Sequence, residues 1–599
     1  MKRNIIAKGL IALGAVALLP ACSSDYLNLT PEANFSDKDA LSTVENIQLA
    51  VNGICLSMNT QYQSTNWNQY NGESYVNTIC NDAIGQDYIS GLFQGMFNSE
   101  TIKGLNWDNA DLLLMVIPWD YCYGLIQQAN KILDVVDSAE GTDEMRAWVK
   151  AQTLTLRAHA YTKLLMFYAP RWEDSDGGEK YCLVYRTTGA IKNAPLATMN
   201  QILDLIYSDL NTALDLYDKA GNNARIGKWG VDKSIALGTF ARAALIKNDW
   251  ATAQKMAHDA RQGYQVMDNN TYLSGFYAEN NDFMWNSTAE DSEIYYWSWG
   301  SHYAANGQYT KNWGVGGGAI DFDLFNQLDE NDIRRMTFFT PDKIAYMQEV
   351  GKQYNPGKLD ASAFWNAGLV NPASYLTVNE GPTARDKNDR EKPFGLYNVA
   401  VYFFRHYLEN VFKGNLSEID NQGFSCYYTV GSEGKINVGP GRNADLVVTP
   451  IGAQIKFFSY APYGTGHYPY MRASEMVLAE AEAAYHNGDE NTAKACLNEI
   501  NGKRIPGYTC TSTGEDLFNE IKLCRRIELW GEGQNWSDFK RWNMPINRRA
   551  WIADDATSGN WTPEISGEVL PDANYGWRFT VPNSESNYNP MVDRTLLPR

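Results

Sequence analysis

Apolar residues recur at helical spacing through roughly the first 270 positions and again beyond position 470, with a long aperiodic stretch between. Ala40, Val44, Ile47, Val51 and Ile54 share one face of a helix expected over Asp37–Met58. The same pattern predicts a helix within Trp107–Ser138, broken near Pro118 because proline lacks the donor that continues the ladder. A long helix is expected over Asp143–Tyr168, its start marked by Thr142 and by acidic residues. Met199–Lys219, Lys233–Ile246 and Trp250–Tyr264 follow, and the pattern resumes at Ser474–Asn487, Asn491–Lys503 and Glu515–Trp530.

Two helix pairs share a period of about 34 residues. In one, the turn is Asn487-Gly488-Asp489, preceded by Ala481, followed by Ala493 and closed by Pro506. In the other, the turn is Lys247-Asn248-Asp249, with Ala241 before it and Ala253 and Ala260 after. Small residues at these spots let paired helices approach closely, as in tetratricopeptide units. Between the pairs, Thr271–Gly318 and Tyr346–Ala461 are rich in Gly, Asn, Tyr and Trp, and stretches such as Glu293–Trp299 suit short strands. Gly314–Gly318 lacks the Lys-Ser/Thr that would make it a phosphate-binding loop. The expected fold is mainly α: a tetratricopeptide-like helix-pair superhelix with an inserted loop-rich subdomain containing short strands. Its parts are residues 1–21 (leader), 22–36 (tether), 37–270 (N-terminal helical part), 271–470 (loop-rich subdomain) and 471–599 (C-terminal helical part).

The leader changes the setting. Lys2, Arg3 and Lys8 precede an apolar run, Gly9–Leu19, and then Leu19-Pro20-Ala21-Cys22. This is the pattern of a lipoprotein export signal, with cleavage before Cys22 and lipidation of its thiol. The apolar run is too short for a hydrocarbon core of about 30 Å. Ser23–Ser36 reads as a tether; about 14 extended residues reach roughly 45 Å.

The formal net charge is −19, and loss of the leader removes three further cations. That balance argues against a nucleic-acid binder, which needs Lys and Arg to displace counterions from phosphate, and disfavours adhesion to anionic lipid. Beyond Cys22 there are eight cysteines: Cys55, Cys80, Cys122, Cys182, Cys426, Cys496, Cys510 and Cys524. None falls in CxxC or at zinc spacing, and they are expected as small buried side chains rather than bridges. HExxH and GxSxG are absent, and the six histidines are scattered. Asp386–Arg390 and Asp329–Asp332 begin like calcium loops but fail the glycine and acid positions. No catalytic residue, metal ligand or cofactor site is assigned.

Aromatic residues carry the remaining signal. Asn59–Tyr75 has no Leu, Ile or Val, yet holds Tyr62, Trp67, Tyr70 and Tyr75. A second cluster runs through Tyr295, Tyr296, Trp297, Trp299, Tyr303, Tyr309 and Trp313. Rings set among Asn, Gln and Ser suit carbohydrate: the C–H face of a sugar packs on the ring while amides bond its hydroxyls. Each such contact is worth on the order of 1–3 kcal/mol. Trp67, Tyr70, Tyr75, Trp299, Tyr303 and Trp313 are the candidate ligand contacts. The competing reading is packing of these rings between loops and frame.

Several segments resemble the SusD/RagB family of nutrient-binding outer-membrane lipoproteins. Trp119, Ile126, Ala129 and Asn130 resemble its early segment, and Arg157-Ala158-His159-Ala160-Tyr161 its long helix, with Ala169-Pro170-Arg171 replacing the usual glycine-led turn. Asp332-Ile333-Arg334-Arg335 resembles a central DpR motif. Pro469, Arg472, Glu475, Leu478, Ala481, Glu482 and Ala483 resemble a "P..R.sEv.L..AEA" signature. Arg525, Glu528, Leu529, Glu532, Gly533, Asp538, Arg541 and Trp542 resemble "R..EL..EG.r..DL.RW", with Asn535 where a basic residue is common. The resemblance implies a lipid-anchored surface protein capping a SusC-like TonB-dependent barrel transporter and handing it an oligosaccharide, or in some members a peptide. It implies no cofactor and no covalent chemistry. On this reading Glu528, Glu532 and Arg541 are ion-paired structural groups. A secreted carbohydrate hydrolase and a scaffold for other surface proteins are the alternatives.

Overall fold

A computed structural model describes residues 40–59, 61–62, 70–89, 98–273, 276, 279–288, 319–338, 426–430, 435–440, 447–450, 452, 454, 456–457, 467–550, 552, 558–561, 563–569 and 577–597. The leader, Cys22 and the tether lie outside these residues.

The main helices are α1 (Val44–Ser57), α2 (Gly72–Thr78), α3 (Leu113–Leu133), α4 (Asp143–Tyr168), α5 (Met199–Lys219), α6 (Lys233–Lys247), α7 (Trp250–Ala260), α8 (Ala473–His486), α9 (Glu490–Arg504), α10 (Gly514–Glu528) and α11 (Asn535–Arg541). Several start where local chemistry supplies a cap. Thr142 accepts from Met145 N ahead of α4, and Thr198 forms a reciprocal capping box with Gln201 at α5. Ahead of α1, Thr43 accepts from Asn46 N, so that helix begins later than the apolar pattern suggested.

Helix α3 corrects one expectation. It runs unbroken through Pro118. The proline deprives only the Leu114 carbonyl of its donor, and Leu114, Met115, Ile117, Trp119 and Cys122 around it are all buried, so packing holds the helix continuous. The chain interruption lies instead before Leu113.

Helix α4 is buried along nearly its whole length and packs against α1, α3, α5 and α6, which makes it the axis of the frame. The two helix pairs recur as structural repeats. Asn248 and Gly488 both take left-handed backbone, at φ +57° and +78°. Asp249 and Asp489 then cap the second helix in the same way, each accepting from the N–H three residues on, Thr252 and Thr492, at 3.2 Å. The pairs α6–α7 and α8–α9, more than 200 residues apart in sequence, stack on each other: Trp250 lies on His486 at 4.0 Å, and Arg261 bonds Glu480 and Glu499.

The strands are short. β1 (Gln61–Tyr62) pairs with β2 (Tyr70–Asn71), β3 (Tyr88–Ile89) with β7 (Ala319–Ile320), β4 (Tyr181–Val184) with β5 (Leu196–Thr198), β6 (Phe283–Asn286) with β11 (Pro469–Arg472), and β12 (Ile546–Arg548) with β13 (Gly567–Val569), all antiparallel. β8 (Cys426–Val430), β9 (Lys435–Pro440) and β10 (Val447–Pro450) form a three-stranded sheet ordered β10-β9-β8. Seven cysteines, Cys55, Cys80, Cys122, Cys182, Cys496, Cys510 and Cys524, are buried free thiols. Among the described residues no helix is long and apolar enough to cross a membrane.

Candidate functional site

The frame brings the roots of the aromatic stretches together. The first leaves α1 at Met58 and Asn59; the second leaves β6 at Ser287 and Thr288. Asn59 Nδ2 donates to Thr288 Oγ1 at 2.7 Å, so the two roots are joined directly. The chain re-enters at His467 beside them: Tyr468 N donates to Ser287 Oγ at 2.8 Å and Ser287 N to Tyr468 O at 2.9 Å. Met58 O accepts from Glu73 N, which seats the return from β2 on the same spot. The far end of the second stretch rejoins the frame at β7, where Tyr88 pairs with Ile320 and Ile320 N donates to Gly452 O.

Beneath these roots lies a buried polar cluster. Glu73 accepts from Tyr121 Oη at 2.8 Å, pairs with Lys163 at 2.8 Å, and meets His159 Nε2 at 3.2 Å. Burial opposes ionisation of Glu73, yet Lys163 and His159 hold its carboxyl well below the usual range. Burial pushes the His159 imidazole down, toward its neutral form.

A second network fastens the central segment to the C-terminal helices. Arg472, fully buried at the start of α8, bonds Glu532 through Nε at 2.7 Å and Asp282 through Nη1 at 2.8 Å. Glu528 accepts from Arg504 at 2.9 Å and lies 3.3 Å from Arg334, whose Nη2 also donates to Asp332 at 2.7 Å and to Asn501 at 2.8 Å. Lys456 Nζ reaches Glu532 and the carbonyls of Glu528 and Trp530; burial pushes its ammonium down to about 8. Arg541 bonds Glu482 at 2.7 Å and Asp538 at 2.7 Å. Every signature acid is thus consumed by arginine or lysine, as expected for Glu528, Glu532 and Arg541. Among the described residues no group of three His, Cys, Asp or Glu is arranged to hold a metal ion.

Asn535 makes a substitute for the salt bridge that a basic residue would form. Its Oδ1 accepts from Gln86 N at 2.8 Å and Asp87 N at 3.0 Å, and its Nδ2 donates to Asp87 Oδ2 at 2.5 Å. Asp82 returns the clamp by accepting from the backbone of Gly533, Gln534 and Asn535, which caps α11.

Of the candidate ligand contacts, Trp67, Trp299, Tyr303 and Trp313 lie outside the described residues. Tyr70 contributes its backbone to β2 opposite Tyr62. Tyr75 is corrected: it sits on α2 at 1% exposure within the main core, and its ring is spent on packing. The alternation that separates an exposed ring from a buried one is missing in Asn59–Tyr75, because the segment passes from hairpin to helix at Gly72. The joined roots were not foreseen; Asn59 and Thr288 carry no motif that would pair them.

The SusD family profile matches residues 245–596, and a second profile, described as "Starch-binding associating with outer membrane", matches residues 25–245. The chain belongs to the SusD/RagB family. A SusD-like protein of Formosa agariphila is 21% identical over 555 residues, 90% of either chain. A SusD-like protein of Bacteroides ovatus is 22% identical over 254 residues, 41% of either chain. Among solved structures, a SusD-like carbohydrate binding protein from Bacteroides vulgatus superposes with a TM-score of 0.63 at 18% identity, covering 93% of this chain and 98% of that one. Surface glycan-binding protein A from Bacteroides thetaiotaomicron, in complex with laminarihexaose, gives 0.54 at 16% identity, covering 91% and 97%. These likenesses establish the fold.

Proposed function

We propose that this protein is a lipid-anchored, non-catalytic glycan-binding protein of the bacterial outer surface, which captures oligosaccharide and passes it to a SusC-like TonB-dependent barrel transporter. The observation that carries the reading is the Asn59–Thr288 bond: two stretches rich in Trp and Tyr spring from one point of a rigid helical frame. Rings presented from adjoining roots can clasp a single sugar chain, and a preorganised frame lowers the ordering cost of doing so. Trp67 and Trp299 are assigned to the sugar faces. The absorption of the signature acids into ion pairs supports binding without turnover. Cys22 supplies the lipid and the outer-membrane attachment. The laminarihexaose complex of the Bacteroides thetaiotaomicron neighbour makes β-glucans a sensible first probe.

Isothermal titration against a panel of glycans and peptides tests the reading. A glycan should bind the full mature protein, and Trp67→Ala or Trp299→Ala should weaken it at least tenfold with the melting temperature nearly unchanged. Flat heats with every member of the panel, or release of reducing ends from a bound glycan, would overturn it. Co-purification of a barrel protein with the native lipoprotein tests the partner.

A further inference from the structure

Two carboxylates stand opposite each other on the short ladder where the second aromatic stretch rejoins the frame. β3 and β7 pair at Tyr88–Ile320 and Ile89–Ala319, and Asp321 N donates to Asp87 O at 3.1 Å, which sets Asp321 across from Asp87. Both residues are buried. Like charges directly opposite on antiparallel strands weaken the pairing. Each strand of this ladder is only two residues long, so one such pair weighs heavily on it.

The cations nearby cover one of the two carboxylates. Arg526 of α10 donates to Asp87 through Nε at 2.8 Å and Nη2 at 2.6 Å, and Asn535 Nδ2 adds a neutral bond to the same group at 2.5 Å. Arg549 is taken by Asp323, at 2.6 Å. Arg548 of β12 lies over the Trp561 ring, and its Nε and Nη2 donate to the carbonyls of Gly85 and Ile84. Asp321 receives only neutral donors, Gln86 Nε2 and Trp561 Nε1, each at 3.2 Å. The Gln86 amide is oriented by its own Oε1, which accepts from Asn547 N at 2.8 Å. Among the described residues no cation forms an ion pair with Asp321. Burial, with Asp87 and Asp323 beside it and with Gln86 and Arg526 in opposition, pushes its carboxyl up from 3.8 to about 7.

We propose that the Asp87–Asp321 pair is a proton-operated latch on the second aromatic stretch. With a proton on Asp321, the pair carries one charge, matched by Arg526, and the ladder stays closed. Without it, two buried like charges stand opposite and the ladder opens more often. The latch builds on the reading that this stretch grips glycan: a sugar chain clasped by both stretches needs the ladder closed, so affinity falls as the ladder loosens. Asp321 binds its proton more tightly in the closed ladder than in an open one, so closure is fully favoured below pH 3.8 and loses ground as pH rises through 7. From about pH 5 to about pH 7 the opening constant should rise about fiftyfold and then level off.

Amide hydrogen exchange of the full mature protein, corrected for the intrinsic pH dependence of exchange and read at residues 319–322, tests the latch without any ligand. Opening in wild type should rise with pH as stated. Asp321→Asn imitates the protonated acid at every pH and should flatten the curve. A flat wild-type curve, or an equal rise in both proteins, overturns the latch, and the wild-type curve decides even where the variant does not fold. Calorimetric titration with laminarihexaose, or with the panel glycan that binds most tightly, tests the tie to binding. Wild type should bind at least about threefold more tightly near pH 5 than near pH 7, and Asp321→Asn equally at both. Equal wild-type affinities beside a rising opening constant overturn that tie. Flat heats from the whole panel at both pH values strike the functional reading instead, and exchange alone then judges the latch.

Discussion

Asn59 Nδ2 and Thr288 Oγ1 meet at 2.7 Å across 229 positions of sequence, and this bond ties the roots of both aromatic stretches. A single neutral hydrogen bond contributes about 1 kcal/mol, so its loss costs little global stability. Thr288→Val keeps the shape and removes the acceptor. We expect the melting temperature to fall only slightly and glycan affinity to fall about fivefold, because both roots lose their mutual constraint before ligand arrives. Calorimetric titration beside thermal unfolding checks this; unchanged affinity would mean the roots are set by other contacts.

Glu528 sits among Arg334, Arg472 and Arg504 with no exposure to solvent. Removing its charge takes the carboxylate from the buried Arg504 and one of the carboxylates from Arg334 and Arg472, which keep Asp332 and the pair Asp282 and Glu532 respectively. Glu528→Gln should therefore lose about 3–5 kcal/mol in urea unfolding, the usual scale for breaking a buried ion network from one side. A catalytic glutamate would behave in the opposite way, with retained stability and lost turnover.

The helical frame was legible because its signals are local. The helix over Asp143–Tyr168 was legible from Thr142 as its cap and from its apolar period, and Met199–Lys219 from its apolar period alone; the Thr198 capping box emerged with the structure. The Lys247-Asn248-Asp249 and Asn487-Gly488-Asp489 turns announced a repeat because each needs one left-handed residue and one aspartate cap, and both are visible in sequence. Pro118 misled because local propensity says nothing of the packing that overrides it. Tyr75 misled for the same reason: a ring among polar residues looks exposed until tertiary structure buries it. Long-range pairs such as Arg526 with Asp87, or Arg472 with Asp282, leave no spacing to read.

Gly533 has φ +81°, and a Cβ placed there would stand 2.4 Å from Asn77 Cβ and 2.8 Å from Asn77 Cα. Neither atom can swing aside, and Asn77 Oδ1 accepts from Lys163 at 2.5 Å in the cluster beneath the loop roots. Gly533→Ala should cost more than about 2 kcal/mol through backbone strain and this clash together. Gly502 offers the contrast: it lies within α9, and a methyl group added to it would meet nothing within 4 Å. Gly502→Ala should gain roughly 0.5–1 kcal/mol from helix propensity alone. Denaturant midpoints of the two variants, measured side by side, decide whether the positions differ as stated.

Glu482 gives the protein an acid-sensitive joint. It is fully buried on α8 and accepts from Arg541 Nη1 at 2.7 Å, Arg541 Nη2 at 3.0 Å and Trp542 Nε1 at 3.0 Å. Burial opposes its ionisation, but Arg541, with Arg525 and Trp542 in support, holds the carboxyl down to about 2. The folded value lies below the unfolded one, near 4.5, so the pair stabilises fully above pH 4.5 and its contribution fades as pH falls toward 2. Between those limits the loss amounts to roughly 3 kcal/mol. Glu482→Gln resembles the protonated acid at every pH. The stability gap between wild type and Glu482→Gln, followed by urea unfolding, should be widest at neutral pH and close progressively below pH 4.5. A gap that stays constant across this range would show that the Glu482–Arg541 pair is not the joint that acid releases.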